Sequence, residues 1–220
     1  MLKQRVCRMP AARRLAPLAS VLAVFALPAA SHAGSFGTSF SLWGSANEKP
    51  WWINSSGIGV PVGGTEVNPN YVGAQSTFSI NLTGMQFYGA FKGGSTAPNG
   101  SNEMSVFVTD DVVHWTGHEM GFTKTLSDNS LKGYLQGGGK FVYRVIANGD
   151  NGYHTFKAQC ESGNHSAVDF YVDGVYKFTL TNPGSSYWAY NAYWVGTTHR
   201  LSNTWSSSGE QIEMYNMVTF

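Results

Sequence analysis

Apolar and polar residues alternate along many short segments of this chain. Every second residue in these segments is apolar, so the apolar side chains would share one face of an extended strand. The alternating sets are Phe78, Ile80 and Leu82; Met104, Val106 and Val108; Phe141, Tyr143 and Val145; Val168, Phe170 and Val172; Tyr176, Phe178 and Leu180; and Ile212 and Met214. The 3.6-residue period of an amphipathic helix is almost absent. The pattern predicts an all-β protein whose strands each turn one face toward a core.

Turn signals separate these segments. They are Gly93-Gly94, Pro98-Asn99-Gly100, Gly137-Gly138-Gly139, Asn148-Gly149-Asp150-Asn151-Gly152 and Asn182-Pro183-Gly184. Many short strands at this spacing indicate a sandwich or a barrel. No linker, internal repeat or second composition zone interrupts residues 34–220, so we expect a single domain there.

One predicted hairpin contains an Asp-Gly pair, which is a strong turn signal. A two-residue turn at this pair would place apolar residues opposite polar ones. A three-residue loop, Val172–Gly174, keeps the apolar residues on one face. The predicted partners are Phe170 with Tyr176 and Val168 with Phe178.

The segments around this hairpin resemble a known superfamily. Tyr153–Lys157, followed after a short gap by Val168–Val175, resembles the concanavalin A-like lectin/glucanase superfamily, in which a strand, a turn and a strand end in Tyr-Val-Asp-Gly. The last segment, Glu210–Phe220, resembles the closing strand of the same fold. The resemblance implies a jelly-roll sandwich of two antiparallel sheets, one of them curved into a groove. One such fold carries many functions, so the resemblance does not assign an activity.

The N-terminal segment has the pattern of a secretory signal peptide. Lys3 and four arginines precede an apolar run from Leu15 to Ala30, and Ser31-His32-Ala33 has the small residues of a cleavage site. The apolar run is shorter than the roughly 20 residues of a membrane span. We therefore expect residues 1–33 to be removed and the domain to be secreted or periplasmic, with no membrane association after cleavage. Arg13-Arg14 leaves both the general and the twin-arginine export routes open.

Removal of the signal changes the charge and the cysteine content. Nine of the 14 lysines and arginines remain against all 13 acidic residues, a net charge of about −4. No basic cluster remains, which argues against a nucleic-acid partner. Cys160 is left as a single cysteine on an apolar face, so we expect a buried, unreactive thiol and no internal disulfide.

Candidate carboxylates begin with Glu103. In laminarinase-like enzymes of the superfamily, one strand carries Glu-x-Asp-x-Glu, whereas this chain has Ser105 and Phe107 at the second and third acidic positions. Other jelly-roll glycosidases place two glutamates on separate strands, and hydrolysis needs two carboxylates on either side of the sugar bond. Glu103 with Glu210 or Glu213 is therefore the candidate catalytic pair, and Glu119 is a further possible partner.

Aromatic residues are numerous, and seven tryptophans are hard to bury together in one domain of this size. Flat aromatic rings stack on pyranose rings, while nearby polar groups bond the hydroxyls. The candidate ligand-binding residues are Trp188, Tyr190, Trp194, Trp115, Phe107 and Trp52. Core packing is the alternative role for any one of them.

Other chemistries have weaker patterns. His114 and His118 are spaced for zinc on a helix, but Gly117 interrupts the segment and nothing predicts a helix there. Asp110-Asp111 and Asp150-Asn151 have oxygen donors that suit calcium, without the spacing of a known loop. A glutamic peptidase, which shares the fold, needs a Glu–Gln pair, and its candidates are Glu103 with Gln86 or Gln159.

The sequence therefore predicts a secreted carbohydrate-binding, lectin-like domain that binds a polysaccharide or glycan in a concave aromatic groove. The alternative is a secreted glycoside hydrolase, and no cofactor is expected.

Overall fold

The computed structural model describes residues 40–43, 52–53, 57–61, 70–76, 79–80, 82–93, 103–111, 117–125, 128–181, 192–200 and 211–220. These residues form fourteen strands: β1 (Phe40–Trp43), β2 (Trp52–Ile53), β3 (Gly57–Pro61), β4 (Asn70–Ser76), β5 (Gly84–Lys92), β6 (Glu103–Thr109), β7 (Glu119–Thr125), β8 (Ser130–Gly137), β9 (Lys140–Asn148), β10 (His154–Glu161), β11 (Asn164–Val172), β12 (Val175–Thr181), β13 (Tyr193–Arg200) and β14 (Gln211–Thr219). Within these ranges, no helix is long and apolar enough to cross a membrane.

The strands form two seven-stranded antiparallel sheets. Sheet A has the order β1-β4-β13-β6-β7-β8-β9, and sheet B has the order β12-β11-β10-β5-β14-β3-β2. Strands distant in sequence are neighbours in both sheets: β13 pairs with β4 and β6, and β14 pairs with β3 and β5. The predicted all-β jelly-roll sandwich is confirmed.

The core lies between the sheets and follows the alternation in most segments. Met104, Val106 and Val108 have no exposed surface. Aromatic rings join the two sheets: Phe87 of β5 packs 6.1 Å, centroid to centroid, from Phe122 of β7. Other predicted core residues that are buried are Ile80, Leu82, Val168, Phe170, Val172, Phe178, Leu180, Ile212 and Met214.

Cys160 is a buried thiol, as the sequence predicts. Burial disfavours the thiolate and raises the pKa of this thiol to about 12. The thiol is therefore unsuited to act as a nucleophile at neutral pH.

The alternating apolar set of β9 does not face the core. Phe141, Tyr143 and Val145 are 50–54% exposed, whereas Val142 and Ile146 pack against the core. Two interleaved apolar sets occupy this strand, and alternation alone does not show which of them faces inward. At the edge of sheet A, β9 turns its more aromatic set outward.

The β11–β12 hairpin differs from the sequence prediction. It turns in two residues, Asp173 and Gly174, whose φ angles of 53° and 75° are typical of a type I′ turn. A register shift next to Phe170 then pairs Phe170 with Phe178, and both are buried. Because this irregularity restores the match of apolar faces, no three-residue loop is needed. Tyr176, predicted to be in the core, is 53% exposed.

Gly133 of β8 allows a ring from the opposite sheet to approach closely. A Cβ atom at Gly133 would lie 2.5 Å from Cδ1 of Phe170. We expect Gly133→Ala to lower the free energy of unfolding by about 1–3 kcal/mol, because the ring must shift within a packed core. Urea unfolding measures this loss. Gly163→Ala is the comparison variant. A Cβ atom at Gly163 would meet open space, but its φ angle is 74°, so a loss of stability there comes from backbone strain and not from packing.

Candidate functional site

The outer face of sheet A carries the first candidate residues. On β6, Met104, Val106 and Val108 belong to the core cluster, so the alternate residues Glu103, Ser105 and Phe107 face outward. In the β6–β7 register, Glu103 lies opposite Thr125 and Phe107 lies opposite Gly121. Ser105 Oγ donates to Thr123 Oγ1 at 2.8 Å, which joins the two strands on this face.

Four aromatic residues form a continuous row across this face, which we call the aromatic row: Phe107, Tyr134, Phe141 and Tyr143. The centroid distance is 6.2 Å from Phe107 to Tyr134, 5.1 Å from Tyr134 to Phe141 and 5.8 Å from Phe141 to Tyr143. Phe107 and Tyr134 are buried, whereas half of the surface of Phe141 and Tyr143 is exposed. The two buried rings thus support the two exposed ones.

Glu103 lies at one end of this face in a partly buried polar group. Burial raises the pKa of its carboxyl, and the nearby charge of Lys132 and a hydrogen bond with Thr125 lower it in part. Lys132 Nζ donates to Thr125 Oγ1 at 2.7 Å and lies 5.1 Å from the ring centroid of Tyr143. Lys132 therefore connects the carboxylate end of the face with the aromatic row.

Glu119 of β7 lies at the other end of the face and is 6% exposed. Tyr134 Oη donates to its Oε2 atom at 3.2 Å. Burial raises the pKa of this carboxyl to about 7, and the charges of Asp110 and Asp111 contribute to the rise. A carboxyl group that titrates near neutral pH therefore touches one of the buried rings of the aromatic row.

Glu103 and Glu213, one of the two predicted carboxylate pairs, do not lie on the same face of the sandwich. Glu213 lies on β14 between the core residues Ile212 and Met214, so it faces outward from sheet B, whereas Glu103 faces outward from sheet A. Packed sheets are about 10 Å apart, and these two side chains point away from each other. Glu103 and Glu213 therefore do not flank one sugar bond.

The alternative partner on sheet A is also distant. Glu119 lies opposite Thr109, six residues along β6 from Glu103, so the two carboxylates are about 20 Å apart along the strands. The separations used in glycoside hydrolysis are roughly 5–10 Å. Glu210 lies outside the described residues, and its pairing with Glu103 stays a prediction.

Among the predicted aromatic residues, Trp194 is 2% exposed and packs 6.4 Å from Phe87 in the core. It therefore has a core role and not the predicted role of a binding platform. Phe107 is on the predicted face but buried, so it supports the exposed rings. Trp52 lies on β2, where only the backbone is described. Trp115, Trp188 and Tyr190 lie outside the described residues.

The remaining sequence hypotheses concern other positions. Gln86 and Gln159 both lie on sheet B, with side chains alternating with core residues, so neither forms a Glu–Gln pair with Glu103. Asp110 Oδ2 lies 2.8 Å from Nδ1 of His118, and His114 is outside the described residues. Over the described ranges, no group of three histidine, cysteine, aspartate or glutamate residues could hold a metal ion.

Sequence reasoning missed Tyr134, Phe141, Tyr143 and Lys132 as site residues. A signal was available for β8, where Lys132, Tyr134 and Gln136 alternate with Leu131, Gly133 and Leu135. The pairing of β8 with β7 and β9 brings these polar and aromatic side chains beside Phe107 and Phe141.

No protein-family model and no curated protein matches this chain. Solved structures resemble it. A Bacillus licheniformis beta-glucanase has a TM-score of 0.57 at 11% identity and covers 81% of this chain and 90% of its own. A glycoside hydrolase family 16 endo-glucanase from Bacteroides ovatus has a TM-score of 0.55 at 10% identity. The match covers 82% of this chain and 94% of the endo-glucanase.

A carbohydrate recognition domain is also similar. The Emp46p domain has a TM-score of 0.52 at 11% identity and covers 82% of this chain and 88% of its own. Likenesses at such low identity concern the fold alone. The chain therefore has the concanavalin A-like jelly-roll fold that these glucanases and this recognition domain share.

Proposed function

We propose that this domain binds a polysaccharide or glycan on the outer face of sheet A. The observation that carries the proposal is the aromatic row, in which Phe141 and Tyr143 are each about half exposed and lie 5.8 Å apart. Exposed rings of this kind stack on the apolar faces of pyranose units. The buried rings of Phe107 and Tyr134 hold them in place, which reduces the entropy lost on binding.

Polar groups beside the row would bond the sugar hydroxyls. Lys132 lies against Tyr143, and Glu103 and Thr125 are next to Lys132. Solved structures with this fold include glucanases and a carbohydrate recognition domain, which makes a carbohydrate the natural ligand class to test.

We also propose that the domain acts after export, as the N-terminal pattern predicts.

Hydrolysis is the second candidate, because two of the similar structures are glucanases. The described residues favour binding over hydrolysis. The outer face of β6 has one carboxylate followed by Ser105 and Phe107, and Glu103 is far from both Glu119 and Glu213. Asp128 lies near enough to Glu103 for its charge to raise the pKa of Glu103, so Asp128 and Glu210, which is outside the described residues, are the carboxylates that a hydrolase would pair with Glu103.

The binding proposal predicts that Phe141→Ala and Tyr143→Ala each weaken glycan binding about tenfold, since loss of one stacked ring removes about 1.4 kcal/mol. Isothermal titration against soluble mixed-linkage β-glucan, laminarin and xylan measures this effect. Tyr176→Ala is the matched control, because Tyr176 is similarly exposed but lies on the outer edge of sheet B. If the Phe141→Ala/Tyr143→Ala double variant binds every glycan with the same affinity as wild type, the site on sheet A is refuted.

Reducing-sugar release from the same glycans separates binding from hydrolysis. We expect the wild-type protein to bind without releasing sugar. Release that is lost in Glu103→Gln, while binding persists, would instead establish the hydrolase.

A further inference from the structure

A second aromatic surface lies on the outer face of sheet B, around Glu213. Lys92 Nζ donates to Glu213 Oε1 at 2.6 Å, and Tyr215 Oη donates to Oε2 at 2.9 Å. Tyr153 Oη also donates to Oε2. Glu213 is 4% exposed, so these donors hold a buried carboxylate.

Three tyrosine rings pack together above this carboxylate, and we call Tyr88, Tyr153 and Tyr215 the tyrosine cluster. Tyr88 and Tyr153 stack with a centroid distance of 5.6 Å and an angle of 20°. Tyr215 lies 6.4 Å from Tyr88 and 6.1 Å from Tyr153. Tyr88 and Tyr153 are 41% and 40% exposed. The cluster is thus a broad aromatic surface that is open to solvent.

The position of the cluster distinguishes it from scattered surface aromatics. Tyr88 and Tyr215 pair directly across β5 and β14, which are inner strands of sheet B. Gly59 and Ala90 flank Glu213 on the neighbouring strands, so small residues leave room for the tyrosines around it. An exposed apolar surface on inner strands is typical of a binding surface.

The charges of the cluster indicate the kind of ligand. The negative charge of Glu213 is compensated by Lys92 at 2.6 Å. Burial and the adjacent Glu213 raise the pKa of Tyr215, so its phenol stays protonated. The rings and hydroxyl groups therefore lie above an ion pair of opposite charges, an arrangement that suits a neutral ligand with both apolar faces and hydroxyls.

We infer that the tyrosine cluster is a second binding surface for a neutral polysaccharide, which makes the domain bivalent. The hydrogen bonds to Glu213 hold the rings of Tyr153 and Tyr215, and Tyr88 extends the stacking surface. Sheets A and B turn their outer faces in opposite directions, so two polysaccharide chains bind on opposite sides of the sandwich. The bivalency rests on the proposed function of the aromatic row, whereas binding at the tyrosine cluster does not depend on it.

Tyr88→Ala tests the inference, because Tyr88 contributes a half-open ring and the bonds to Glu213 come from other residues. The ligands are soluble mixed-linkage β-glucan, laminarin and xylan, and binding is measured by titration calorimetry in the Phe141→Ala/Tyr143→Ala background. We expect Tyr88→Ala to weaken the remaining binding at least tenfold and Tyr88→Phe to restore it to within threefold. Tyr176→Ala is the control on the same sheet and leaves the affinity unchanged.

Bivalency has a separate readout. The wild-type domain is expected to cross-link the polymer that it binds and to raise its hydrodynamic radius, whereas Tyr88→Ala binds without cross-linking. If Tyr88→Ala binds and cross-links like wild type, or none of the three glycans binds, the second surface is refuted.

The two proposals fail in different ways. Loss of binding in Tyr88→Ala alone, with the Phe141/Tyr143 double variant unaffected, would refute the site on sheet A and keep the tyrosine cluster. Concentration-dependent dimerisation that Tyr88→Ala abolishes without any effect on glycan binding would make the cluster a protein interface and overturn the inference.

Discussion

Lys124→Met is expected to lower the free energy of unfolding by about 3 kcal/mol, because it removes a buried charged donor from two buried carbonyl acceptors. Lys124 has no exposed surface and belongs to β7 of sheet A. Its Nζ atom donates to Phe91 O at 3.0 Å, to Gly93 O at 2.8 Å and to Asn151 Oδ1 at 2.7 Å. The side chain therefore crosses the interior and joins sheet A to the end of β5 in sheet B.

The loop after β9 also depends on this lysine. Gly93 N donates to Asn151 Oδ1 at 2.8 Å, and a Cβ atom at Gly149 would lie 2.6 Å from Cε of Lys124. Methionine fills a similar volume but leaves the two carbonyl groups without this donor. We expect Lys124→Met, which lacks these bonds, to unfold locally at this end of the sandwich before the rest of the domain unfolds.

Urea unfolding monitored by tryptophan fluorescence measures the loss, and Lys132→Met is the matched control. Lys132 lies on the adjacent strand β8, is partly exposed, and donates to Thr125 Oγ1. We expect the control to lose about 1 kcal/mol, since the single hydrogen bond of this partly exposed lysine to Thr125 contributes about that much. If Lys124→Met is as stable as wild type, the hydrogen bonds of the ammonium do no more than offset its desolvation.

The second large effect is a pH dependence of stability that arises from Glu119. The folded protein holds the proton of this carboxyl up to about pH 7, whereas an exposed glutamate loses it near 4.5. Between these two values the folded state binds more protons than the unfolded state, so stability falls as pH rises. The free energy of unfolding therefore falls by about 3 kcal/mol between pH 4.5 and pH 7. Outside this pH range, Glu119 adds no further pH dependence.

Glu119→Gln removes the titrating group and keeps its size and an acceptor for Tyr134 Oη. We expect the free energy of unfolding of wild type relative to this variant to fall by about 3 kcal/mol from pH 4.5 to pH 7. Urea unfolding at half-unit pH intervals measures the difference curve. Parallel curves for the two proteins would show that Glu119 is ionised like an exposed carboxyl.

Tyr134→Phe gives an independent check. Tyr134 donates to Glu119, and this bond holds the pKa of the carboxyl lower than burial alone would. Without the hydroxyl, we expect the pKa of Glu119 in the folded protein to rise, so that stability keeps falling up to a higher pH. Because the ring of Tyr134 also supports Phe141, glycan binding and the charge of Glu119 are expected to be coupled.

The sequence was sufficient for the fold class because alternation is a local property of each strand. Met104, Val106 and Val108, and likewise Val168, Phe170 and Val172, are buried as their spacing predicts. The same reasoning failed on β9 and at Tyr176. Phe141 has apolar neighbours on both faces of β9, and alternation does not show which face is covered. Tyr176 lies past the register shift of the hairpin, where it pairs with Tyr171 and not with Phe170.

The candidate site was less accessible to sequence reasoning. Glu103 and Phe107 have the same parity in β6, and the strand places both on the outer face of sheet A. Glu213 has the same outward parity in its own strand, yet its strand belongs to the other sheet. Alternation shows which residues of a strand share a face, but it does not show which sheet the strand joins.

By itself the sequence determined that this chain forms antiparallel strands with one buried face, since side-chain period and turn residues act over a few positions. Only the tertiary structure decided that Tyr134, Phe141 and Tyr143 continue the row begun by Phe107, and that Tyr153 and Tyr215 bond Glu213 on the opposite face. These groupings depend on long-range strand pairing, and pairing is set by how both sheets close over one common core.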